Sequence, residues 1–416
     1  VLCASTLVMM AASWPLWLDS GDFPRVPFLA GLGEGPAWVT AVLFAGAVSG
    51  LVVGMVAPVG RFRVATERRG WLALGIPREA GRIFFDGRGG VSLAVVMILL
   101  LVLKDQGRFQ PWVYQFLVVG LAVATLPDRR ALRMARLYAV GLYAYSGLSK
   151  LDASFVAELG PVFLDAGLGL VGQSSAGLAP RLRTLAILAM PAAEVAVAGA
   201  LAFGSTRGVG LVGAVGLHAA LIAILGPWSL GQSPNVLIWN GALLVEAILL
   251  FGGSSETDDT PAGRPGWVAM GVVVASLVLP LGERFGLCDA WPAHALYASH
   301  AERSQITIHE DDLERVPEPI RRHFAPAGAG LYHGLDLTGW SREVRGVPPY
   351  PSHRYAIGVA EWLDKRVQPR QPIRLTLWER APVLTSERLR RELVGVEAIP
   401  SEGARHALNC RPAVDR

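Results

Sequence analysis

Long apolar runs fill the first two thirds of the chain, where a soluble protein would show a helical or strand-like alternation. Residues 38–60, 184–203, 208–226, 236–252 and 267–282 each approach the roughly 20 apolar residues that cross a bilayer core about 30 Å thick. Residues 1–18 read as a further span, since they lack the basic start and small-residue cleavage site of a signal peptide. The runs 91–103 and 112–126 are shorter and pair across the polar segment LKDQGRFQP, which ends in Pro111. A last helix, 131–150, is apolar but dotted with polar side chains. The pattern predicts an all-α polytopic membrane bundle of about nine spans over residues 1–282.

Beyond Glu283 the period changes. SQITIH and IRLTLW alternate β-branched and polar residues between turn residues, as strands do. Between them SHRYAIGVAEWLDKR predicts a helix with Ser352 as its N-cap. Residues 283–416 therefore read as a small α+β soluble domain.

Composition sharpens this division. Residues 1–282 hold 19 Lys and Arg with 16 Asp and Glu, about 12% of positions, whereas residues 283–416 hold 19 and 18, about 28%. Soluble domains carry about 25%. A net charge of +4, from 35 Arg and 3 Lys against 34 acids, is no nucleic-acid footprint. The partner this composition implies is the lipid bilayer.

Lys and Arg in short loops set orientation. Loop 60–90 carries seven Arg (61, 63, 68, 69, 78, 82 and 88) against three acids, and Arg129, Arg130, Arg133 and Arg136 crowd the start of the 131–150 helix. Both point to the cytoplasm. Nine alternating spans then place 19–36, 151–182 and 227–235 outside. The loop 253–266, with Glu256, Asp258 and Asp259, falls inside, and the tail is extracytoplasmic on the cell (inner) membrane. Cys288 and Cys410 bracket that tail, where either a disulfide or two separate thiols is chemically allowed. No CxxC pair is present. His218 stands alone in the bundle, the other seven His lying in the tail without HxH or HxxxH spacing, so no metal site is expected.

Ionisable groups within spans are costly and mark function by default. Lys150, Glu194, His218 and Glu246 are such groups, with Asn240 beside them as a strong hydrogen-bonder. On a helix Arg136, Tyr143 and Lys150 form one line, with Ser146 next to it; Tyr138, Tyr145 and Asp152 form another, displaced by about 200°. Lys150 either snorkels to the outer interface, with Asp152 capping the next segment, or turns inward as a general base. Glu194 follows Pro191 mid-span, and Lys150 and His218 are its obvious partners. The uncharged stretch PWSLGQSPNVLIWN (227–240) reads either as a pocket mouth or as an interfacial aromatic belt. In the tail, His294, Tyr297, His300, Glu302 and His309 gather just after the last span.

The stretch YSGLSKLDASFVAELG resembles the signature of the vitamin K-dependent gamma-carboxylase-like membrane proteins, the HTTM group, with Gly147, Lys150, Leu151, Asp152, Phe155 and Gly160 on the pattern. The helix with Arg207 at its start and His218 resembles that group's Phe-His helix, Leu217 replacing the Phe. Ser149 replaces a second lysine and Phe155 the usual Trp, and the tail is far shorter than the carboxylase luminal part. The same region, with Ser146-Gly147 and Lys150-Leu151 followed by Pro191 and Glu194, is similar to DoxX and MauE membrane proteins, which are associated with redox partners. The likeness covers about 140–240, within a family-like core of about 131–252. The first resemblance implies a reduced quinone as cofactor and Lys150 as catalytic base; Glu194 and His218, as ionisable groups within spans, are the other catalytic candidates. Tyr143, Ser146, Asp152 and Asn240 would bind the ligand in a pocket near the outer leaflet. The second implies a non-catalytic module that acts through a protein partner of the C-terminal domain.

Overall fold

The computed structural model describes residues 1–18, 21, 23–33, 35–57, 87–253, 266–328 and 330–413. Six of the seven arginines of the 60–90 loop (all but Arg88) and the acidic Glu256, Asp258 and Asp259 lie outside the described residues.

The N-terminal apolar run is not one continuous helix. α1 (Leu2–Ala12) breaks at Ser13 and resumes as the single turn α2 (Trp14–Trp17), because Pro15 has no N–H to continue the ladder. α3 (Ala37–Val56) and α4 (Gly87–Lys104) make a close pair. A Cβ on Gly50 would stand 2.7 Å from Gly90 O, so the two backbones touch where side chains are missing. α5 (Pro111–Thr125) and α6 (Asp128–Leu148) follow, then the short α7 (Ala153–Ala157) and α8 (Leu159–Gly169). α9 (Pro180–Ala202), α10 (Arg207–Leu225), α11 (Pro234–Phe251) and α12 (Trp267–Val278) complete the bundle, α12 running on in 3-10 turns to Phe285.

Among the described residues, six stretches are long and apolar enough to cross a membrane: α3, α4, α9, α10, α11 and Trp267–Phe285, with mean hydropathy from 1.6 to 2.2. The expected nine spans are not reached among these residues. α1 and α5, at 11 and 15 residues, are too short. α6 has the length, 21 residues, but its first turns carry Asp128, Arg129, Arg130, Arg133 and Arg136. The segment 151–182 contains α7 and α8. Large apolar side chains such as Val209, Val212 and Val268 stand exposed on the bundle's outer faces, as a lipid-facing surface requires.

The tail forms a five-stranded antiparallel sheet. Its strands are β1 (Arg303–His309), β2 (Phe324–Pro326), β3 (Tyr332–Leu335), β4 (Arg374–Trp378) and β5 (Arg390–Val394), in the order β2-β3-β1-β4-β5. β1 and β4 are the two strands legible in the sequence, and they pair with Ile306 opposite Leu375. Around the sheet lie α13 (Glu318–Arg321), α14 (Leu337–Arg345), α15 (His353–Val367) and α16 (Gly395–Gly403). Ser352 caps α15 as expected, its Oγ accepting from Tyr355 N at 3.2 Å. Tyr355, Val359 and Leu363 of α15 share a core with Ile306, Ile308, Leu375 and Leu377 of the sheet. Cys288 and Cys410 are separate thiols, Cys410 buried in this core.

Chain from the bundle side completes that core. Phe23 and Val26, from the connection before α3, are buried in it. Gln106, between α4 and α5, bonds Val26 O and Asn409 O at 2.8 Å. Ala153 N donates to Val383 O at 2.9 Å, and Arg342 to Gln232 Oε1 at 2.9 Å. Four connections thus meet the tail at one end of the bundle. At the other end Arg88 holds Asp128 and Leu126 O, and Arg136 Nε donates to Leu250 O.

Candidate functional site

Tyr143, Ser146 and Lys150 follow at spacings of three and four along α6 and its last turn, which puts them on one face. Gly147 lets α9 come close: a Cβ there would meet Pro191 O at 2.7 Å. The close crossing brings Lys150 Nζ to 2.9 Å from Glu194 Oε2. Nζ also donates to Ser146 O at 2.6 Å and to Ser146 Oγ at 2.8 Å. Three acceptors for three N–H bonds satisfy a lysine that is only 6% exposed.

Beside this group runs a second chain. Tyr143 OH lies 2.8 Å from His218 Nε2 on α10, and His218 Nδ1 lies 3.1 Å from Asn240 Oδ1 on α11. Asn240 Nδ2 donates to Val236 O at 2.8 Å, which fixes the direction of the amide. Nδ1 therefore carries the proton, and Nε2 accepts from the tyrosine.

Both chains face one cavity of about 740 Å³. Leu142, Phe163, Met190 and Leu221 make much of its wall within the bundle, and Trp291, Tyr297, Glu302 and Tyr350 of the tail close its mouth. Asn235 also lines it, buried and with neither amide atom partnered among the described residues. A buried amide with free donor and acceptor is what a polar ligand would satisfy.

Six of the seven expected site residues line this cavity: Tyr143, Ser146, Lys150, Glu194, His218 and Asn240. Asp152 does not. It caps α7, accepting from Phe155 N at 2.7 Å, and its other oxygen takes Arg284 at 2.7 Å and His300 Nδ1 at 2.8 Å. His300 Nε2 reaches Glu283 Oε2 at 3.0 Å, so this fully buried imidazole joins two carboxylates. Burial works to raise the Asp152 carboxyl, but the hydrogen bonds from His300, Phe155 N and Arg284 prevail and hold it below the ordinary range. Burial likewise works against the His300 imidazolium, and the hydrogen bonds to Asp152 and Glu283 overcome it and raise that group.

Glu246 also lies apart. Gln115 donates to it, and Trp239 Nε1 donates to Gln115 Oε1 at 2.7 Å. Gln115 and Glu246 border a second cavity of about 350 Å³, which shares Leu142, Tyr143 and Leu243 with the first. The other line of α6 faces neighbouring structure: Tyr145 OH donates to Leu277 O, and the Tyr138 ring packs on His294 at 5.1 Å. The tail residues that gather in sequence disperse in space. Tyr297 and Glu302 line the cavity, His294 lies against Tyr138, His300 sits in the Asp152 joint, and His309 bonds Asp311 N. Gln232, Asn235, Trp239 and Asn240 line the cavity, while Trp228 is exposed.

Sequence reasoning missed Tyr350 and His353, which reach the cavity only because the tail folds over it. Among the described residues, no group of three or more His, Cys, Asp or Glu is placed to hold a metal ion. No protein-family model matches the chain, and neither a curated protein nor a solved structure does.

Proposed function

We propose that the protein binds a lipid-soluble, quinone-like ligand in the bundle cavity, with Lys150 at its polar centre. The observation that carries this reading is the convergence of six expected polar side chains, and the unpartnered amide of Asn235, on one largely apolar space. Polar groups fixed in an apolar cleft are how small-molecule sites are built. Aromatic and aliphatic walls suit a flat lipophilic body, and Asn235 can pair with a carbonyl or hydroxyl oxygen on it. A reduced quinone would supply an acidic hydroxyl and two electrons. Lys150 serves as base by passing a proton to Glu194 along their 2.9 Å contact, and Ser146 holds the amine in place. The Tyr143–His218–Asn240 chain offers a second proton-bearing group to the same space. By residue pattern the reading places the protein in the gamma-carboxylase-like (HTTM) group, in the inner membrane, with the tail extracytoplasmic.

One observation favours the alternative, a DoxX/MauE-type module that works through a protein partner of its tail. All three Lys150 donors are already engaged, as in a structural ion pair. The two readings part on what accompanies the purified protein. A quinone in the organic extract supports the first, and a stoichiometric protein with no quinone overturns it. Reporters fused at Arg69 and after Arg416 test orientation: activity inside at Arg69 and outside at Arg416 is expected, and a cytoplasmic Arg416 reporter would refute the assignment.

A further inference from the structure

The tail wall of the cavity holds a polar pair that the reading above does not use. Glu302, which immediately precedes β1, lines the cavity, and its Oε2 lies 3.1 Å from Nδ1 of His353, the first residue of α15. His353 is 3% exposed and its ring is pinned. Nε2 sits 3.1 Å from both Arg303 O and Trp378 O, the carbonyls of two residues paired across the ends of β1 and β4. Carbonyl oxygens only accept, so Nε2 carries a hydrogen in every protonation state of the ring. One further proton then lies between Nδ1 and Glu302. It rests either on the imidazole, as an ion pair, or on the carboxyl, as a neutral pair, and no heavy atom has to move between these states.

We propose that Glu302 and His353 form a proton-sharing couple that faces the cavity ligand from the tail wall, as the Lys150 group does from the bundle wall. The inference rests on the cavity being a ligand site. A ligand group that takes the proton leaves a carboxylate beside a neutral imidazole, with Arg380 NH2 3.6 Å from Glu302 Oε1 to balance the charge. A ligand group that gives one up leaves a protonated Glu302 beside an imidazolium. Burial raises the Glu302 carboxyl and Asp289 adds to that, while His353, Arg380 and Arg354 oppose the rise without cancelling it. The ligand class follows from the two polar groups on the bundle and tail walls of the cavity. It is a molecule with an apolar body and two proton-exchanging oxygens or nitrogens, one for Lys150 and the other for Glu302, as the two hydroxyls of a hydroquinone would be.

The test uses the full chain in detergent, with ¹⁵N-histidine resonances followed against pH and decylubiquinone as the probe. His353 should keep Nε2 protonated throughout, and its Nδ1 titration should be displaced in Glu302→Gln. A His353 titration identical in wild type and Glu302→Gln overturns the shared proton. Adding decylubiquinone should shift both His218 and His353, and Glu302→Gln should weaken its binding about tenfold, the scale of one hydrogen bond to a charged group. A shift at His218 without one at His353 overturns the couple as a ligand group while leaving the cavity reading intact. No shift at either histidine overturns the quinone reading, and with it the ligand half of this one; the pH titration still decides the shared proton. His353→Asn is the second variant: it should change the pH dependence of decylubiquinone binding, and a dependence identical to that of wild type contradicts the proposal.

Discussion

Lys150 and Asp152 are two residues apart and belong to two different kinds of buried polar cluster. Lys150 joins Ser146 and Glu194 along the crossing of α6 and α9, and its group borders a space large enough for a ligand. Asp152 joins Arg284, His300 and Glu283 where bundle meets tail, and it lines neither cavity described above. Both groups pair charges out of water, so pairing alone does not mark function. What separates them is whether an open volume adjoins the pair. The joint holds the tail over the cavity mouth, and the cavity uses the wall that results.

Breaking the joint should have the largest effect. His300→Ala removes the donor that two buried carboxylates share and is expected to cost about 3–5 kcal/mol, read by thermal unfolding. An unchanged unfolding temperature would mean that the joint carries no weight. Next comes the cavity pair. Glu194→Gln and Lys150→Met should each cost about 3 kcal/mol, and the double variant clearly less than their sum, because the two residues share one interaction. Additive losses would separate them.

The same contrast should show in pH dependence. The His300 contribution is complete below that group's unfolded-state value and is lost as pH rises through its raised folded-state value. The Asp152 contribution is present above its unfolded-state value and is lost as pH falls through its depressed one. Docking of the tail should therefore be strongest between these limits, and His300→Gln should flatten the alkaline limb of a stability-against-pH curve. A variant curve parallel to wild type would remove His300 from the account. The smallest effect is expected at Ser352→Ala, about 1 kcal/mol for a lost N-cap, confined to the tail.

The bundle's long helices were legible because apolar length is itself the signal that a bilayer imposes. The six cavity residues were legible because a charge or amide inside an apolar run is conspicuous, and spacing placed Tyr143, Ser146 and Lys150 on one face. Asp152 misled because helical spacing says nothing about what meets a residue from 148 positions away, and there His300 does. α1 misled because Pro15 breaks a run that reads as continuous. The tail's β2, β3 and β5 carried no clear alternation, and Tyr350 and His353 belong to the site only through docking, which no local pattern encodes.

The central claim is that Lys150 serves the cavity's ligand and not only the fold. Its most direct test compares decylubiquinone binding, followed by quenching of the cavity-lining Trp112, Trp239 and Trp291, in wild type, Lys150→Arg and Lys150→Ala. A planar, permanently charged guanidinium can neither reproduce a compact ammonium bonded to Ser146 and Glu194 nor release a proton near neutral pH. The account predicts that Arg weakens binding nearly as much as Ala. Wild-type affinity in Lys150→Arg would contradict it and leave Lys150 as a structural charge.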